Sequence, residues 1–133
     1  MVHSPYLTLI LLPEHLSPTL QDLQPVLEAA VNGHMYPAWG ETEMQVHADV
    51  MVGAYAFHFS LETEPHVLVE AQEIFRHLGV TPTLLFPRRL SMSGHPDPDL
   101  TYFNDYLFLL SALEEQLLGA VFYDPYAGER IEL

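Results

Sequence analysis

No cysteine occurs in the chain, which excludes disulfides, thiolate metal sites and cysteine nucleophiles. Lysine is missing as well, and the basic complement is four arginines, Arg76, Arg88, Arg89 and Arg130. Against eighteen acidic residues they leave a net charge of −14, a field that repels phosphate backbones and anionic lipid. Nucleic-acid and membrane binding are therefore not expected, whereas the field favours a basic protein partner, a cation or simply solubility. No run approaches the ~18–20 consecutive apolar residues that cross a bilayer. The apolar run at residues 6–12 has no basic residues before it and meets Pro13 and Glu14 at once, unlike a secretory signal. The expected location is cytoplasmic. The seven glycines are too dispersed to cradle a phosphate, and zinc-protease, nucleophile-elbow and calcium-loop spacings are all missing. No cofactor and no metal is implied.

What is present describes a globular protein. Hydrophobic residues make up 49% and charged residues 17% of 133 positions, enough for one core and one domain spanning residues 1–133. The strand expected at residues 6–12 is apolar on both faces and needs cover on both sides. Ser17 and Pro18 offer an N-cap and first helical residue, after which Leu20, Leu23, Leu27, Ala30 and Val31 form one stripe. Pro25 should kink or shorten this helix, and Asn32-Gly33 should end it. Residues 34–42 lack a period and read as a loop, with Trp39 expected to plug the edge of the core; the alternative for this aromatic loop is a contact surface.

The middle of the chain is the most informative part. Val46, Ala48, Val50 and Val52 alternate on even positions, whereas Tyr55, Phe57, Phe59 and Leu61 alternate on odd ones. One strand keeps one parity, so the change at Gly53 predicts a β-hairpin over residues 44–62 with a two-residue turn, the alternative being a bulge. His47, Asp49 and Met51 then lie opposite Ser60, His58 and Ala56 on the other face.

Thr63 should cap a second helix in which Val67, Leu68, Ala71, Ile74, Phe75 and Leu78 recur at helical spacing. A short strand is expected at residues 83–86, a loop at 91–98, and an additional apolar helix near 99–118 capped by Asp99. Residues 120–123 and 129–133 read as a C-terminal strand pair. The order matches an α+β, ferredoxin-like (split βαβ) sheet with two helices on one face. The third helix would cover the other face; the alternative cover is a second subunit, making a homodimer.

Three constellations carry polar chemistry. His47, Asp49 and His58 share the non-core hairpin face, where a carboxylate can orient an imidazole as a base or a metal ligand. His95-Pro96-Asp97-Pro98-Asp99 alternates cation ligands with loop residues. Arg88 and Arg89 together offer a grip on an anionic ligand. The leading expectation is a non-enzymatic interaction or inhibitor domain of immunity type that engages a basic partner. The alternative is a small enzyme or a ligand- or metal-binding domain using His47, Asp49 and His58, assisted by Arg88 and Arg89.

Overall fold

A computed structural model describes residues 5–133. Its elements run β1 (Thr8–Leu12), α1 (Leu20–Val31), β2 (His34–Pro37), β3 (His47–Val52), β4 (Tyr55–Glu62), α2 (Pro65–His77), β5 (Arg88–Gly94), α3 (Phe103–Gln116), β6 (Val121–Asp124) and β7 (Glu129–Arg130). The seven strands form one sheet in the order β2-β3-β4-β5-β1-β6-β7, with every neighbouring pair antiparallel. Among the described residues no helix is long and apolar enough to cross a membrane.

The hairpin forms in the register that the parity change requires. Val52 faces Tyr55, Val50 faces Phe57 and Ala48 faces Phe59, with Gly53 at φ +61° in the turn. Ala48, Val50, Phe57 and Phe59 are buried, while Val46 lies exposed at the open end.

Strand β1 is covered on both sides within one chain. Ile10 and Leu12 join the main core with residues of α1 and α3, whereas Leu11 points the other way into a smaller cluster with Ala71, Phe75, Phe86 and Val121. Helices α1 and α3 therefore share one face, and α2 lies on the other. This corrects the expected pairing of the first two helices. The apolar third helix packs one side inward through Leu109, Leu110 and Leu113, while Phe103 and Phe108 are exposed.

The ferredoxin-like topology is not confirmed. A split βαβ unit has one strand between the two that flank its helix, but β5 inserts between β4 and β1 and the sheet extends to seven strands. The inserted strand also lies later in the chain than expected. Leu84 and Leu85 are exposed outside any strand, whereas Leu90 and Met92 are fully buried between two hydrogen-bonded neighbours. Arg89, Ser91 and Ser93 occupy the alternate positions, which gave this stretch the composition of a loop.

Local caps shift as well. Thr19, not Ser17, caps α1, exchanging hydrogen bonds with Asp22 in a capping box. Pro25 removes one helical bond, to exposed Gln21, and the helix continues past it to Val31. Residues 34–37 form an edge strand rather than a loop.

Candidate functional site

Alternation along the strands writes the polar sheet face row by row. One row crosses four strands as Tyr36, Asp49, His58 and Ser93. The next contains His47, Ser60, Ser91 and Leu9. A third runs Glu62, Arg89, Leu11 and Val121. The third row meets α2, where Leu11 and Val121 pack against Ala71 and Phe75. The first row is partly open to solvent, with the His58 side chain 42% exposed.

In the first row His58 and Asp49 are in direct contact. Nδ1 of His58 lies 2.6 Å from Asp49 Oδ1. An ionised carboxylate only accepts, so Nδ1 carries the proton of this bond and a neutral ring keeps Nε2 as its acceptor. His47 Nδ1 bonds Ser60 Oγ at 2.9 Å, and its Nε2 is 3.9 Å from Glu41. The sheet thus brings Asp49 and His58 together and binds His47 to a different pair of partners.

The loop of His95 to Asp99 returns to this face. Asp97 accepts hydrogen bonds from the Tyr6 hydroxyl and from the amides of Thr101 and Tyr102. Burial works to raise its carboxyl pKa, but these three donors outweigh it and hold the group below the usual carboxylate range. Burial, then the Asp97 carboxylate, pushes the Tyr6 phenol well above its ordinary value. Asp97, rather than Asp99, organises the entry to α3. The Tyr55 hydroxyl donates to the His95 carbonyl at 2.6 Å, and the His95 ring sits 4.7 Å from that of His58. Among the described residues no group of three or more His, Asp and Glu is placed to hold a metal ion.

Arg88 and Arg89 do not act as a pair, because successive strand residues point to opposite faces. Arg88 donates to the carbonyls of Leu16 and Glu14 at 3.0 and 2.8 Å. Arg89 is only 8% exposed and bridges Glu62 at 2.7 Å and Glu70 at 2.9 Å, and Ser91 donates to Glu62 as well. Burial alone would raise the Glu62 carboxyl, yet the bonds from Arg89 and Ser91 keep it below its ordinary value. Both guanidinium groups are engaged in holding the fold.

The most exposed aromatic lies where a plug was expected. Trp39 is 100% exposed on a loop carrying Glu41 and Glu43, and Tyr36 and Val46, near the two ends of that loop, are 53% and 42% exposed. Pro37 and Gly40 flank the tryptophan, and no periodic apolar neighbour ties it to the core. That lack of period was the available signal for an outward position. Tyr36 stands in register with Asp49, so the aromatic loop continues directly into the row of His58. Comparison of the chain with protein families, with characterised proteins and with solved structures returned no match.

Proposed function

We propose that the protein is a non-enzymatic cytoplasmic interaction domain, an inhibitor of immunity type, that receives a basic protein partner on the surface around Trp39. The observation that carries this reading is the full exposure of that tryptophan on an acidic loop. A large apolar ring left in water contributes nothing to the core, and tryptophan and tyrosine are the usual anchors of protein interfaces. The charge balance supports the same reading. Eighteen acidic residues face four arginines, and two of those, Arg88 and Arg89, are committed to contacts within the fold. Such a field speeds encounter with a cationic protein and weakens with added salt.

The test retains host proteins on immobilised wild-type protein and on Trp39→Ala at low ionic strength, then measures the purified pair by calorimetry. The expected result is a basic protein held by the wild type and released by salt. Trp39→Ala weakens that pair by about 2 kcal/mol while its own folding stability changes by less than about 0.5 kcal/mol. Equal affinity for both variants, or recovery of no basic protein, sinks the proposal.

A second reading rests on the bond between His58 and Asp49. It leaves Nε2 of His58 as a base or ligand beside His95. Substituting His47 and His58 by alanine separates the two readings. Loss of zinc or ligand binding with the fold intact favours this one, and no change in either removes it.

A further inference from the structure

We propose that the cavity between α2 and residues 79–86 binds a small apolar molecule bearing one carboxylate. The cavity has a volume of about 330 Å³, within the range of small-molecule pockets, and lies apart from the Trp39 surface. Its floor is Ala71, Phe75 and Phe86, all buried, with the two phenyl rings 4.8 Å apart between centroids. Its rim is Val80, Leu84 and Leu85, each at least 40% exposed. Three apolar side chains grouped in water around a concave apolar floor mark a surface that gains free energy when covered.

The rim is held in position before any ligand arrives. Glu14 N–H donates to the Leu85 carbonyl at 2.8 Å, and Leu85 N–H donates to the Glu14 carboxylate at 3.3 Å. Val80 N–H donates to the Phe75 carbonyl at 2.9 Å, which folds the turn at Gly79 back onto α2.

The polar groups of the lining select the ligand's charge. Arg76, an exposed residue, lines the cavity, and among the described residues its guanidinium, unlike those of Arg88 and Arg89, has no hydrogen-bond or ion-pair partner. Gln72 and Thr81 add neutral hydrogen-bonding groups. Among the described residues that line the cavity none carries a carboxylate, and that of Glu14 near the rim is engaged by the Leu85 amide. A single guanidinium matches one carboxylate through two parallel bonds. The surrounding acidic field disfavours more highly charged anions, so the ligand must combine one negative charge with an apolar body.

The test titrates the 133-residue chain with submicellar decanoate and, separately, with decan-1-ol, by calorimetry and by following the methyl resonances of Ala71, Val80 and Leu85. Decanoate should bind at least tenfold more tightly than the alcohol. Arg76→Gln should remove that tenfold preference and leave the alcohol's affinity unchanged. Leu85→Asp, at an exposed position, should weaken both ligands while circular dichroism shows an intact fold. Absence of decanoate binding, or equal binding of the two ligands to the wild type, overturns the proposal. Self-association abolished by Leu85→Asp without decanoate binding also overturns it, and assigns the groove to a second copy of the chain.

Discussion

Arg88 and Arg89 adjoin in sequence but serve opposite sides of the sheet, and the environment of each decides its role. Arg89 is almost wholly withdrawn from water and answers two carboxylates, Glu62 and Glu70. Removing one member of such a network leaves its partners desolvated and unpaired, a larger loss than the net worth of the bonds. Arg89→Met should therefore lower the stability of the protein by roughly 2–4 kcal/mol in urea denaturation. Adding Glu62→Gln should recover part of the loss, because one buried charge then disappears. Additive effects of the two substitutions would contradict this coupling. The pairing of Arg89 with the protein's own carboxylates was not legible in the sequence, since Glu70 approaches Arg89 only when α2 folds back over β5.

At the level of elements, the edge of the sheet explains how an exposed strand is kept from pairing with a second chain. Met35 N–H points away from β3 and donates to Glu28 Oε2 at 2.7 Å. Pro37, two residues on and facing the same way, has no N–H to offer. The outward donors of β2 are thereby removed, by a side chain from α1 and by a ring. This bond to Met35 also holds the Glu28 carboxyl below its ordinary value, so the protection persists into mildly acid solution. Glu28→Ala should expose the Met35 amide, and hydrogen exchange at that position should accelerate at least tenfold while the β3–β4 amides keep their protection. Unchanged exchange at Met35 would show that the edge is shielded by something else. The hairpin next to this edge was readable from alternation alone. The edge strand was not, because residues 34–37 are too few and too mixed to show a period.

The molecule as a whole joins a two-sided sheet to an aromatic cluster at one end, where Tyr55 stacks on Tyr102 at 4.1 Å and Tyr6 on Tyr106 at 4.9 Å. Burial, reinforced by the Asp97 charge and by Tyr102, pushes the Tyr55 phenol up to about 12. A group with a raised folded-state value stabilises the fold fully below its ordinary value of 10.0, and that contribution disappears as pH rises through about 12. Alkaline unfolding is accordingly expected in this window, with the tyrosinate absorbance of the cluster rising together with the loss of ellipticity. Complete tyrosine ionisation in a still-folded protein would refute the role given to this cluster. In acid the sign reverses: Asp97 and Glu62 have depressed values, so their contribution is lost as pH falls below the usual carboxylate range. At this scale the sequence by itself determined the charge, the hairpin with its two faces, the helical stripe of α2 and the need of β1 for cover on both sides. Each of these follows from the spacing of residues within one segment. Tertiary structure alone decided that β5 enters between β4 and β1, that α1 and α3 share a face and that His95 reaches His58. Those outcomes depend on contacts between segments far apart in the chain, and local periodicity says which side of an element is apolar without saying which element will cover it.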